Sequence, residues 1–213
     1  MVRYWLRLSS SSPRRSRCRC TPDTGISLAV GDIARLLTGG GARTVLIDGR
    51  SGAGKTTLAH QLRESWDASA VVSLDDIYPG WDGLAWAVEH LRVQLLEPRA
   101  AGRTGRWRAW DWTTGTPAGW HDVQPGQRLI VEGVGALTPA SRALADLGIW
   151  IERADEERKR LALQRDGDTF RPHWDRWAAQ EDDIIARYDP RSVADWMVTE
   201  TAAGPVWTPG RTG

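Results

Sequence analysis

Residues 49–56 read G-R-S-G-A-G-K-T, a complete Walker A motif, and they directly follow the apolar run at 44–48. That run has the composition of a buried strand, and residues 56–64 continue with helix formers that place Leu58 and Leu62 on one face. A glycine-rich turn between a strand and a helix lets backbone N–H groups point at phosphate oxygens. The helix N-terminus adds the positive end of its dipole. The motif therefore predicts a P-loop that binds the phosphates of a nucleoside triphosphate.

The residue types inside the motif indicate which groups hold the nucleotide and its metal. Lys55 is placed to reach the β- and γ-phosphates, and the Thr56 hydroxyl can ligate Mg²⁺. The rest of the predicted ATP-binding loop consists of Gly49, Arg50, Ser51, Gly52, Ala53, Gly54 and Thr57. ATP and Mg²⁺ are accordingly the predicted cofactors. Guanine is less favoured as the base, because the chain has no Asn-Lys-x-Asp segment.

Composition limits the classes of function open to the chain. Its 213 residues suit one α/β domain, and a net charge of +1 with both signs interspersed attracts neither nucleic acid nor a membrane surface. The sequence contains no apolar run near the roughly 18 to 20 residues of a membrane-spanning helix. Two cysteines, Cys18 and Cys20, cannot build a disulfide framework or a four-ligand zinc site. We expect a soluble cytoplasmic protein, and the sequence leaves its oligomeric state open.

The first segment of the chain differs in composition from the rest. Residues 1–22 contain six arginines, four consecutive serines and no acid, a composition that cannot pack a core. We therefore expect a disordered basic tail over residues 1–25 and a single P-loop domain over 26–213. A transit peptide or a mis-assigned start codon are alternative explanations of the tail.

Apolar runs and helical periodicity alternate along the chain after the tail. The runs predict strands at residues 44–48, 70–74, 128–132, 148–152 and 194–199. The periodicity predicts helices at residues 26–37, 56–64, 81–97, 141–147, 155–165 and 172–186. Residues 99–126 have no clear period, so we expect a long loop that carries function. The alternation favours an α/β fold of the P-loop NTPase type, with a parallel five-stranded sheet, helices on both faces and a small lid.

Three segments that are remote in sequence are expected to meet at one edge of this sheet. The P-loop, Asp75 and Glu132 each lie at or just beyond the carboxyl end of a predicted strand, where parallel sheets bind ligands. Asp75 is placed to accept a proton from an acceptor hydroxyl or to hold Mg²⁺ through water. The alternative role for Asp75 is to cap the turn that follows its strand.

The residues at these strand ends resemble a known family. D-D-I-Y at 75–78, the P-loop and V-E-G-V at 131–134 are similar to the uridine kinase and phosphoribulokinase group of P-loop kinases, whose second strand ends in Asp-x-Phe-Tyr and third in Glu-Gly. The resemblance implies that Asp75 is the catalytic base and that Lys55 binds phosphate. It also implies that Thr56 and Glu132 hold magnesium, directly or through water. Ile77 stands where that family has phenylalanine.

The acceptor site is less clearly indicated. Trp110, Asp111 and Trp112 lie where uridine kinases carry Tyr-Asp-Phe in the segment that lines the nucleoside pocket, so the resemblance implies that these residues and Tyr78 bind the acceptor. Gly115 replaces the histidine that follows that motif, which leaves uridine itself open. Alternatively, the tryptophans fasten a long loop onto the core.

Two arginines resemble the lid arginines of uridine and nucleotide kinases. Arg158 and Arg165 are predicted to close over the phosphates, with Gly167 as a hinge, because guanidinium groups bind phosphoryl oxygens bidentately. Ordinary helix ion pairs are an alternative role for both. Glu181 lies on an apolar helix stripe and either contacts substrate or bonds a backbone group.

These observations favour an ATP-dependent kinase that phosphorylates a hydroxyl group of a small metabolite, most like a nucleoside. A nucleoside monophosphate kinase or another small-molecule kinase is the nearest alternative. A nucleotide-binding regulatory ATPase is an alternative from a different class.

Overall fold

The computed structural model describes residues 30–210, so the predicted basic tail and the first turn of the predicted lead-in helix lie outside the described residues. The helices are α1 Val30–Gly40, α2 Lys55–Ser65, α3 Leu84–His90, α4 Glu97–Ala100, α5 Pro139–Arg142, α6 Asp155–Phe170, α7 Trp174–Tyr188 and α8 Pro190–Val193. The strands are β1 Thr44–Gly49, β2 Ser69–Ser73, β3 Gly105–Asp111, β4 Thr116–Val123, β5 Arg128–Glu132, β6 Leu147–Glu152, β7 Trp196–Thr201 and β8 Gly204–Pro209. Over this range, no helix has both the length and the apolar character needed to cross a membrane.

The central sheet has the order β2-β5-β1-β6-β7-β8, and its first five strands are parallel. These strands are the five that the apolar runs predict, which confirms the α/β fold with a parallel core. A sixth strand, β8, pairs antiparallel with β7 at the edge and is absent from the prediction. Pro205 and Pro209 make β8 hard to recognise in the sequence, because proline within a segment argues against a strand. Proline is tolerated in an edge strand, where one row of N–H groups needs no partner.

Both faces of the sheet are buried. Along β1, Leu46 packs into one apolar core, whereas Val45 and Ile47 pack into the core on the opposite face. Neighbouring strands follow the same alternation, because successive side chains of a strand point to opposite faces. β1 is buried along its whole length, so the loop that leaves its carboxyl end has a fixed origin.

The segment at 99–126 is not the long loop that its composition predicts. It contains an antiparallel hairpin formed by β3 and β4, with an irregular register between Arg108 and Trp110. β4 exposes almost every side chain, so it lacks the polar–apolar alternation that identifies a strand. The backbone N–H of Arg108 donates to Nε2 of His90 (3.1 Å), which fastens the hairpin to α3.

The helix predicted to end at Pro98 continues to Ala100. α3 passes through a π-helical segment, Leu91–Leu96, into α4. Pro98 lies in the first turn of α4, immediately after the π-helical segment. Further along the chain, α6 is kinked at Gly167, whose φ of 55° and ψ of −133° are non-helical. The kink falls at the residue that the sequence predicts as a lid hinge.

Candidate active site at the carboxyl edge of the sheet

The P-loop joins the end of β1 to the start of α2, and its glycines adopt conformations that other residues avoid. Gly49, Gly52 and Gly54 have φ values of 152°, 79° and 112°. A Cβ atom on Gly52 would lie 2.0 Å from the carbonyl oxygen of Arg158, so a side chain there would displace backbone. The loop can therefore approach α6 closely only because position 52 is glycine.

Asp48, next to the last residue of β1, holds the start of the P-loop through hydrogen bonds to its side chain. Its buried carboxylate accepts hydrogen bonds from the backbone N–H groups of Gly49 (2.6 Å), Gly135 (3.1 Å) and Leu137 (2.8 Å). These bonds connect the end of β1 to the segment that follows β5. Burial raises the pKa of Asp48 to about 7, although the bond from Leu137 and the charge of Lys55 act in the opposite direction.

A cavity of about 380 Å³, which we call the phosphate cavity, opens above the P-loop. It is lined by Ser51, Gly52, Gly54, Lys55, Thr56, Thr57, Asp75, Glu132, Arg153, Leu161, Ala162 and Arg165. Lys55 is largely buried, and its ammonium group donates to the carbonyl oxygen of Arg50 (3.2 Å), which holds the charge over the loop. The cavity thus combines main-chain amides, a lysine and two arginines, the groups that bind phosphates.

The predicted metal-binding residues converge on this cavity. Oε1 of the buried Glu132 accepts hydrogen bonds from the hydroxyl groups of Thr56 (3.1 Å) and Ser73 (2.7 Å). Carboxylate and hydroxyl oxygens are hard donors of the kind that Mg²⁺ prefers, and Mg²⁺ usually completes its coordination with phosphate and water. Residues 30–210 contain no group of three or more His, Cys, Asp or Glu side chains that could hold a metal on its own. Thr56, Glu132 and Asp75 therefore fit a magnesium ion that arrives with a nucleotide.

Asp75 lies in the short 3₁₀ turn Leu74–Asp76 that follows β2. Its side chain is solvent-exposed and lines the phosphate cavity, with many protein atoms around the carboxyl group. Partial desolvation by these atoms and the nearby charge of Glu132 raise the pKa of Asp75, whereas Lys55 and Arg165 lower it. A raised pKa makes Asp75 a stronger proton acceptor than an ordinary aspartate.

A second cavity, of about 420 Å³, adjoins the first and shares Asp75, Ser51 and Arg165 with it. We call it the aromatic cavity, since its lining also includes Tyr78, Trp81, Trp112, Phe170 and Trp177, together with Asp166 and Thr169. Trp81 stacks on Phe170 with ring centroids 5.4 Å apart and contacts Trp112 at 5.0 Å. The residues come from the segment after β2, the hairpin, α6 and α7.

The polar atoms of three of these aromatic side chains already have partners. The Tyr78 hydroxyl donates to the carbonyl oxygen of Val134 (2.8 Å), and Nε1 of Trp112 donates to the carbonyl oxygen of Asp75 (2.8 Å). Nε1 of Trp177 donates to Oγ of Ser51 (3.0 Å). These three side chains therefore present ring faces, rather than hydrogen-bonding groups, to a molecule that enters the cavity.

The structure separates the four predicted acceptor residues into two groups. Tyr78 and Trp112 line the aromatic cavity, but Trp110 and Asp111 line neither cavity. Asp111 accepts from the N–H groups of Thr113 (2.8 Å) and Thr114 (3.3 Å), which closes the hairpin turn. Hydrogen bonds from Thr114 and Thr113 hold the pKa of Asp111 below its usual range. Its carboxylate shapes the turn.

Trp81, Phe170 and Trp177 are functional candidates that the sequence analysis missed. All three lie in or next to predicted helices, where an aromatic residue is normally interpreted as part of the core. No spacing in the sequence indicates that these three rings line one cavity. Their proximity depends on how α6 and α7 pack over the sheet.

The two predicted lid arginines have different environments. Arg165 lines both cavities and bonds Asp166 through Nε (2.8 Å) and Nη2 (2.7 Å). Arg158 is buried, donates from Nε to Asp155 (2.7 Å) and lines a different cavity, not the phosphate cavity. The hydrogen bond corresponds to the helix ion pair that was the alternative role for Arg158.

Arg153 takes the place at the phosphate cavity that was predicted for Arg158. It directly follows β6 and forms ion pairs with Glu157 and Glu200, both at 3.4 Å. The sequence carries a signal for it, since a basic residue just past the carboxyl end of a predicted parallel strand lies at the ligand-binding edge.

The parallel sheet, the P-loop after its central strand and the converging acids define a P-loop kinase fold. The structure is similar to that of a protein from Bacillus stearothermophilus described as a possible uridine kinase, with a TM-score of 0.56, 21% sequence identity and coverage of 79% of this chain and 96% of that one. It is also similar to a candidate fructose transport system kinase from Silicibacter sp. TM1040, with a TM-score of 0.47, 19% identity and coverage of 76% and 88%. No family model matches the sequence. No curated protein matches it either.

Proposed function

We propose that this protein is an ATP- and Mg²⁺-dependent kinase that transfers the γ-phosphoryl group of ATP to a hydroxyl group of a small, nucleoside-like metabolite. The observation that carries the proposal is the position of Asp75, on the rim shared by the phosphate cavity and the aromatic cavity. An acceptor in the aromatic cavity would have its hydroxyl between Asp75 and the end of the triphosphate.

The residues of the site supply the parts that phosphoryl transfer requires. The acceptor oxygen forms a bond to the γ-phosphorus, the bond to the β–γ bridging oxygen breaks, and the hydroxyl proton moves to Asp75. Lys55, Arg153 and Arg165 neutralise charge on the phosphoryl oxygens. Magnesium, held by Thr56 and Glu132, would supply further charge neutralisation between the phosphates.

The charge of the aromatic cavity favours an acceptor without a phosphate or carboxylate group. Of the described residues that line it, Arg165 is the one with a positive charge, and Asp166 already pairs with that guanidinium. Binding a second anion there would leave it without a free cationic partner. This observation supports a neutral ring-bearing alcohol, such as a nucleoside, over a nucleoside monophosphate.

The test is ADP formation across a panel of acceptors, with the wild type, Lys55→Ala and Asp75→Asn assayed in parallel. The panel contains nucleosides, other neutral ring alcohols and the matching nucleoside monophosphates. We expect turnover with at least one neutral ring alcohol, and Asp75→Asn lowers that turnover by roughly 10² to 10⁴ with nearly unchanged ATP affinity. Lys55→Ala weakens ATP binding by roughly 1.5 to 3 kcal/mol. Unchanged turnover in Asp75→Asn removes Asp75 from the role of base.

A further inference from the structure

Glu181 is a fully buried carboxylate in α7 that contacts the P-loop. Its Oε1 accepts hydrogen bonds from the backbone N–H of Ser51 (2.9 Å) and from Nε1 of Trp177 (3.1 Å). Its Oε2 accepts a hydrogen bond from Nε of Arg50 (3.2 Å). Both P-loop partners lie between the first and second positive-φ glycines of the loop.

Glu181 has no role in the apolar packing of α7. The helix also buries Trp177 and Ile184, and an isolated carboxylate among such side chains would cost free energy. Donors from the P-loop offset that cost. Glycines give the loop no conformational preference of its own, so its shape depends on such outside contacts. Asp48 supplies one such contact at Gly49, and Glu181 in α7 supplies another at Arg50 and Ser51.

Trp177 extends the same contact to the aromatic cavity. Its indole N–H is shared between Oγ of Ser51 (3.0 Å) and Oε1 of Glu181, while its ring lines the cavity and packs edge-on to Tyr78 with centroids 4.8 Å apart. The side chain that forms a wall of the acceptor site is therefore also bonded to the loop that holds the nucleotide.

We propose that Glu181 is a positioning residue that, together with Trp177, holds the Ser51 segment of the P-loop in the conformation that binds nucleotide. This inference rests on the proposed kinase function. Neither side chain needs to touch a phosphate for the effect, because a loop that is only partly in the competent conformation binds with an affinity reduced by that fraction.

Three variants and a control test the proposal by isothermal titration with the non-hydrolysable ATP analogue AMP-PNP and Mg²⁺, below the unfolding transition. Glu181→Ala removes every bond of the carboxylate, and we expect a Kd raised roughly tenfold or more. Glu181→Gln keeps one acceptor oxygen for Ser51 and Trp177 but loses the bond from Arg50, so its Kd lies between wild type and Glu181→Ala. Trp177→Phe keeps a ring in the cavity but lacks the N–H, and its Kd also rises.

The control is Glu97→Gln, which changes an exposed carboxylate that pairs with Arg92 and lines neither cavity. Its Kd should equal that of the wild type. A purely structural role for Glu181 would lower the melting temperature and leave the Kd of the folded protein at the control value, and this result overturns the proposal. If Glu181→Ala does not fold, Glu181→Gln and Trp177→Phe decide in the same way. A wild type that binds no nucleotide would instead refute the kinase function, and the inference with it.

Discussion

Four acidic side chains surround the P-loop, and each has a distinct environment. Asp48 accepts bonds from backbone N–H groups, Glu132 from two hydroxyl groups, and Glu181 from the loop and an indole. Asp75 differs because its side chain is exposed and lines both cavities, where it remains available to a ligand. Asp48 and Glu181, which are buried and bonded to several donors, act as scaffolding, whereas Asp75 and Glu132 line the phosphate cavity and are available for chemistry.

The raised pKa of Asp48 predicts how stability depends on pH. Native Asp48 titrates near 7 and the unfolded chain near 3.8, so between these values the native state binds a proton that the unfolded state does not. The contribution of this group to stability is therefore complete below about pH 4 and is lost as the pH rises through 7. Over that range the loss is roughly 4 kcal/mol, because one pKa unit corresponds to ~1.4 kcal/mol.

Urea unfolding of the wild type and Asp48→Asn at several pH values measures this contribution. The amide does not titrate, so the variant serves as a reference that shares every other ionisable group. We expect the free energy of unfolding of the wild type, minus that of the variant, to decrease from pH 4 to pH 7 and to level off above. A difference that rises with pH, or stays flat, contradicts the prediction.

At the scale of elements, the kink in α6 sets the relative positions of Arg165 and Thr169, which lie on either side of it. Gly167 adopts φ 55° and ψ −133°, and a Cβ atom there would meet no neighbouring atom within 4 Å. The cost of Gly167→Ala is therefore conformational, and we expect it to lower the free energy of unfolding by roughly 1–3 kcal/mol. If the variant avoided this cost by changing the backbone conformation at position 167, Arg165 and Thr169 would also move, so turnover should fall.

The matched control for the kink is Gly126→Ala. Gly126 lies in a turn, has equally open space around its Cβ position and does not adopt a positive φ. Its replacement by alanine should leave the free energy of unfolding and the rate of ADP formation close to wild type. Equal behaviour of the two variants would show that the fold does not need the kink.

The elements that sequence reasoning predicts correctly are those with strong apolar patterns. The three central strands, β1, β5 and β6, are buried along nearly their whole length, so each is a continuous apolar run that stands out in the sequence. The hairpin and β8 lie at the surface, where side chains are exposed and no such pattern exists. Helix ends are also displaced, as at Pro98, where the helix continues to Ala100 past a proline that the sequence indicates as its end.

For the whole molecule, most residues that line the phosphate cavity could be predicted, whereas most residues that line the aromatic cavity could not. Lys55, Thr56, Asp75 and Glu132 are fixed by short motifs at strand ends, and parallel topology brings strand ends together. The aromatic cavity forms where α6, α7 and the hairpin approach one another, and such contacts between distant elements leave no local signal. The family resemblance placed Asp111 in the acceptor site, but here it closes a turn.

Since both cavities meet at Asp75, ligands that occupy them should stabilise the molecule as a whole. A ligand that binds only the native state raises the free energy of unfolding by ~2.7 kcal/mol at a hundred times its Kd. In a thermal-shift assay, we expect AMP-PNP with Mg²⁺ to raise the Tm of the wild type and to have a much smaller effect on Lys55→Ala. A neutral ring alcohol that is a true acceptor should raise the Tm further when added with the nucleotide, and the matching monophosphate should not. A Tm that responds to nucleotide alone across the whole panel would favour a regulatory ATPase over a kinase.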